Sequence, residues 1–132
     1  MNRYVKVLVA VLGFALVLSA CGGGGSTIKV TITDFAYSPN TFTVKAGEKV
    51  TLQATNKGAV EHEFAIMKLG TSVTPPFGDK DEGNIYWELD EIQAGTTKSD
   101  TFTAPTEPGQ YQVICGLPGH IEKGMVATLV VK

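Results

Sequence analysis

The stretch YQVICGLPGHIEKGM, residues 111–125, places Cys115, His120 and Met125 with four residues between each successive pair. A soft thiolate, an imidazole and a weak thioether together favour copper over zinc, magnesium or iron. One more imidazole would complete a trigonal site with a long axial sulfur. Taken singly, Cys115 is a small buried hydrophobe, Met125 a gap filler and His120 a loop residue. Taken together they share one loop between two strand-like runs, where Gly116, Pro118, Gly119 and Gly124 supply the turn chemistry that folds it back on itself.

The chain holds only one other histidine, His62. In the run from Glu61 to Met67, alternation sets Val60, His62, Phe64 and Ile66 on one face and Glu61 and Glu63 on the other. A single histidine on an apolar face is ordinarily a satisfied core residue, but the loop supplies the partners that make this one a candidate ligand. With one ligand mid-chain and three on the C-terminal loop, copper is expected to staple two sheets together and to stabilise the fold.

The same period-two alternation recurs along the chain. Thr27 to Thr33 sets Ile28, Val30 and Ile32 on one face, and Thr41 to Val44 follows a Ser38-Pro39-Asn40 turn. Glu48 to Asn56, Ile85 to Ile92, Thr96 to Phe102, Tyr111 to Cys115 and a closing run after Met125 complete the set. Short alternating runs punctuated by turns predict an all-β, Greek-key β-sandwich or barrel of about seven to eight strands. Lys68 to Asn84, with Pro75, Pro76, Gly78 and Gly83, reads as an irregular insertion.

The N-terminus has a different character. Arg3 and Lys6 precede an apolar run from Val7 to Leu18, a length that suits a secretory signal rather than a membrane span. Leu18-Ser19-Ala20-Cys21 resembles a bacterial lipobox, which implies a signal peptide over 1–20, lipidation of Cys21, and a Gly-rich tether over 21–26. Loss of 20 of the 132 residues leaves enough chain for one domain, 27–132, with a single hydrophobic core. Cys115 is then the lone thiol of an exported protein, with no partner for a disulfide.

The formal net charge of −2 becomes −4 once Arg3 and Lys6 are removed. No basic patch interleaved with aromatics occurs, which argues against nucleic-acid binding. Acidic residues gather at Asp79, Asp81, Glu82, Glu88, Asp90 and Glu91, as a solvated loop or a docking surface for a cationic partner.

Across residues 27–132 the chain resembles a cupredoxin. The loop spacing, with Pro118-Gly119 before His120 and Gly124 before Met125, is more similar to auracyanin and rusticyanin than to the shorter plastocyanin loop. The resemblance implies one type 1 copper held by His62, Cys115, His120 and Met125. Together with the lipobox, it implies a membrane-tethered, monomeric electron carrier without catalysis of its own. Its expected place is lipid-anchored at the outer face of the cell membrane or in the periplasm, and its expected redox partners are c-type cytochromes or membrane oxidoreductase complexes.

One position departs from the family. Glu63 stands where many members have asparagine and rusticyanin has serine, so an ionised carboxylate near the site is expected to lower the potential and Glu63→Asn to raise it. Three other classes remain open. A copper oxidase needs further histidines for a second copper site, which two histidines do not supply. A copper storage or delivery protein would exchange its metal quickly. A metal-free structural sandwich would be indifferent to Cys115→Ser.

Overall fold

A computed structural model describes residues 24–132. The signal peptide expected over 1–20, the expected lipidation site Cys21 and the first part of the expected tether lie outside those residues. Among the described residues, nine strands form two sheets. The first sheet has the order β2-β1-β4-β7, built from β1 (Ser26–Thr33), β2 (Ala36–Ser38), β4 (Lys49–Asn56) and β7 (Thr97–Thr103). The second runs β3-β9-β8-β5-β6, built from β3 (Thr41–Val44), β5 (His62–Met67), β6 (Ile85–Ile92), β8 (Gly109–Ile114) and β9 (Val126–Val131). The β1/β4 and β3/β9 pairs are parallel and the remaining pairs antiparallel.

The strand expected over Thr27 to Thr33 begins one residue earlier, at Ser26, whose hydroxyl donates to the Glu48 carboxylate at 3.0 Å. The ninth strand, β2, has only three residues and pairs with β1 through Thr33↔Ala36 to Thr31↔Ser38. It follows a tight corner at Asp34-Phe35, too short to show periodicity in the sequence.

Alternation builds the core. Ile28, Val30 and Ile32 of β1 and Val50, Leu52 and Ala54 of β4 meet Phe64, Val113, Leu129 and Val131 of the facing sheet in one continuous buried cluster. Burial of each large aliphatic or aromatic side chain contributes roughly 1.5–3 kcal/mol.

β5 departs from simple alternation because both of its faces are buried. His62, Phe64 and Ile66 face the sandwich interior, while Ala65 and Met67 join Val73, Ile114 and Ile121 in a second cluster, against which Phe77 and Ile85 pack. The irregular segment between β5 and β6 therefore has a structural task. It covers the outer face of the second sheet and contains one helical turn, α1 (Asp79–Glu82).

Val60 does not share the interior face with His62 as alternation suggested. It is 42% exposed and precedes β5. The amide of Asn56 explains why, since it captures the chain around it. Asn56 Nδ2 donates to the carbonyls of Val60 and Ile92, each at 2.8 Å, and its Oδ1 accepts from the Gly58 N–H at 2.8 Å. Those bonds bend residues 57–61 out of strand geometry and deliver the chain into β5 at His62.

Candidate metal centre

His62 opens β5, and Cys115 follows the last residue of β8, the neighbouring strand. His120 lies in the loop between β8 and β9. Gly119 (φ 81°) and Gly124 (φ 86°) bracket a short 3-10 turn, η1 (Ile121–Lys123), in left-handed conformations that favour glycine. The N–H of Met125 donates back to the His120 carbonyl at 3.1 Å, closing the loop on itself.

Three donor atoms converge: one ring nitrogen each of His62 and His120 and the sulfur of Cys115 lie within 4.8 Å of one another. The sulfur is 3.1 Å from His120 Nδ1, and the imidazole centroids are 5.0 Å apart. His62, Cys115 and Met125 are fully buried, with Met125 in the same core cluster as Cys115, while His120 is half-buried.

The expected stapling of two sheets is not what the structure shows. β5, β8 and β9 are consecutive strands of the second sheet, so a metal on these residues clamps three neighbouring strand ends. Sequence separation does not reveal which strands are neighbours. The first sheet reaches the site by another route, through the β1–β2 corner. Asp34 Oδ1 lies 3.3 Å from His62 Nε2, and the Phe35 ring meets His120 edge-on at 5.0 Å and His62 at 6.3 Å.

The electrostatics suit a cation. A carboxylate only accepts, so the contact with Asp34 puts the proton of a neutral His62 on Nε2 and leaves Nδ1 as a bare lone pair. That Nδ1 is fully buried and has no hydrogen-bond partner, the one such side-chain polar atom among the described residues. An orphaned buried acceptor is costly unless something occupies its lone pair. Burial pushes the Cys115 thiol up to about 11, against the opposing N–H groups of Leu117 and Glu63. On its own the thiol is thus neutral, and a bound metal would draw its proton away. Burial, then the neighbouring His62 and Lys123, lowers the pKa of His120 and favours its neutral, ligating form.

Hydrogen bonds brace the sulfur. The Glu63 N–H donates to Cys115 Sγ at 3.3 Å, the Gly116 N–H donates to the Glu63 carboxylate at 3.2 Å, and Tyr37 Oη donates to the Glu63 carbonyl at 2.6 Å. Glu63 thus ties the strand of one candidate ligand to the loop of another. Burial, and more weakly Glu88, Asp90 and Glu61, raise its carboxyl pKa, while the Gly116 N–H opposes the rise.

These residues fit one copper: two imidazoles, one thiol and a buried thioether, with one imidazole nitrogen buried and unpartnered. The family model for the cupredoxin-like domain matches residues 6–131. The chain belongs to the cupredoxin-like family. This cupredoxin is 32% identical to auracyanin-A of Chloroflexus aurantiacus, over 88% of its own length and 90% of that protein's. It is 31% identical to the copper-resistant cuproprotein CopI of Rubrivivax gelatinosus, over 80% of its own length and 66% of the relative's. The crystal structure of dithionite-reduced auracyanin from the photosynthetic bacterium Roseiflexus castenholzii superposes with a TM-score of 0.68 at 27% identity, covering 84% of this cupredoxin and 99% of that chain.

Sequence reasoning missed Asp34 and Phe35. They lie 28 and 27 positions before His62 in an unremarkable Thr-Asp-Phe-Ala run, and only the fold brings them to the histidines.

Proposed function

We propose that this cupredoxin is a one-electron carrier whose single type 1 copper is held by His62, Cys115 and His120, with Met125 as the weak axial donor. The observation that carries the reading is the convergence of three buried or half-buried donors, with His62 Nδ1 buried and unpartnered. Copper, when bound, supplies a Cu(II)/Cu(I) couple. The chain's own part is to hold the donors still, so that little moves on electron transfer, and to keep water from the sulfur.

Cys21 is proposed to carry lipid and hold the exported domain at the outer face of the cell membrane or in the periplasm, where c-type cytochromes or membrane oxidoreductase complexes exchange electrons with it. A small apolar patch around half-buried His120, made by Leu117, Pro118 and Gly119, suits a weak redox encounter. The acidic residues supply orientation. They are divided between α1 and β6, and two of them, Glu82 and Glu88, line a groove of about 800 Å³ together with Glu63, Phe77, Trp87 and Gly116. Charge complementarity acts chiefly on association rate. The rate of electron transfer to a basic cytochrome c is expected to fall steeply with ionic strength, and a flat salt dependence measured by stopped flow would contradict this.

Glu63 is expected to set the potential. Glu63→Gln keeps an oxygen for the Gly116 N–H and removes the charge. The midpoint should rise by tens of millivolts, at about 59 mV per tenfold change in a one-electron equilibrium. Voltammetry showing an unchanged or lower midpoint would defeat this role.

Similarity to CopI favours a second reading, storage or delivery of copper. Exchange-prone sites lean on exposed methionines, whereas Met67 and Met125 are both fully buried here. Copper transfer to a chelator over hours supports the carrier, and transfer within seconds supports delivery.

A further inference from the structure

We propose that the Asp34-Phe35 corner between β1 and β2 is the positioning device for both histidines, with Asp34 fixing the tautomer and orientation of His62 and Phe35 holding the ring of His120. The inference rests on the copper reading above and adds to it two residues from the opposite sheet.

Asp34 is anchored before it meets the histidine. Its two carboxylate oxygens accept from the Ala59 N–H at 2.9 and 3.2 Å, so the acid is fixed to the loop that leads into β5. From there Oδ1 reaches His62 Nε2 at 3.3 Å. A carboxylate on the far nitrogen of a ligating imidazole holds the ring's orientation and raises its basicity, which favours the more highly charged metal state. The close approach is built in at Gly58, where a Cβ would stand 2.2 Å from Asp34 Oδ1.

Phe35 has φ of 68°, the left-handed region that a bulky aromatic residue rarely adopts. Backbone held there persists because the surroundings require it, and such positions gather at functional sites. What the conformation achieves here is the ring's placement, nearly perpendicular to both imidazoles, at 85° to His120 and 86° to His62. Lys123 Nζ, 3.9 Å from the ring centroid, covers the ring and pins it to the ligand loop. Phe35 thus contacts a cation and both imidazoles, and restrains the one ligand that is only half-buried.

The test uses the full copper-loaded chain and four variants, with Cu(II) affinity by chelator competition, copper release rate, midpoint potential and apo-protein melting as readouts. Asp34→Ala should weaken Cu(II) binding about 10- to 100-fold. The potential should rise by about 59 mV for each tenfold by which Cu(II) suffers more than Cu(I). Asp34→Asn keeps an acceptor for the imidazole N–H, so it should recover much of the affinity yet keep a raised potential. Gly58→Ala leaves the acid chemically intact but displaces it, and should reproduce the affinity loss. Phe35→Gly relaxes the backbone but removes a ring that packs against the core, so copper should leave faster whether or not the apo-protein melts lower. A corner that merely supports the fold would lower apo melting and leave potential and release rate at wild-type values, and that result overturns the proposal. Wild-type protein lacking a thiolate-to-copper band would overturn the copper reading and this inference together. A normal wild-type band with indifferent variants would overturn this inference alone.

Discussion

Cys115→Ser is expected to abolish the intense visible absorption of the copper-loaded protein outright and to leave the fold intact. The visible band of a type 1 site is charge transfer from a thiolate sulfur to Cu(II), and Cys115 is the lone thiol among the described residues. A serine hydroxyl is not deprotonated at neutral pH in such a buried position, so any copper that stays would sit on two imidazoles with an ordinary tetragonal signature. Electron exchange should then slow by orders of magnitude, because the covalent sulfur path is gone and the metal must rearrange on reduction. The fold should be insensitive, since serine is slightly smaller and its oxygen can accept the Glu63 N–H that the sulfur accepts now. A near-normal melting temperature of the apo variant, with complete loss of colour, is the expected pair of results. A coloured serine variant would show that the absorbing group lies elsewhere.

Asn56→Ala is expected to be the most damaging single change outside the donor set. Asn56 is fully buried at the end of β4, and its amide makes three bonds: to the carbonyls of Val60 and Ile92 and from the Gly58 N–H. Each buried group left without a partner costs about 1–3 kcal/mol. Losing all three should therefore destabilise the domain by roughly 3–5 kcal/mol, which lowers melting by about 10–20 °C for a domain of this size. The same bonds hold the segment that delivers His62 and anchors Asp34. The surviving folded fraction should also release copper faster, a coupling that a purely structural asparagine would not show. Thermal melts of apo and copper-loaded variant protein measure both effects, and a loss below about 1 kcal/mol would contradict the assignment.

Much of this architecture was legible because period-two alternation directly reflects which face of a strand meets the core. Ile28, Val30 and Ile32, and Val50, Leu52 and Ala54, are buried where alternation places them. The candidate ligands were legible for a chemical reason: a thiol, an imidazole and a thioether at fixed spacing on a glycine-rich loop have few other uses. What escaped was long-range or conformational. β2 is three residues long and has no periodicity to read. Val60 lies outside the strand because of a side-chain amide four residues earlier, which alternation ignores. β5 is buried on both faces because the proline-rich insertion folds over it, so Ala65 and Met67 break the pattern. Strand order decided that the donors share one sheet, and spacing along the chain carries no such information. Asp34 and Phe35 reach the histidines from the opposite sheet, through a left-handed corner that no residue-type rule would assign to phenylalanine.

The most direct test of the central claim is an EPR and visible absorption titration of the purified protein with Cu(II). The account predicts saturation at one equivalent, an intense thiolate charge-transfer band and a narrow copper hyperfine splitting. A colourless complex with an ordinary tetragonal spectrum, or saturation at more than one copper, would contradict it and show that His62, Cys115, His120 and Met125 do not act together on one metal.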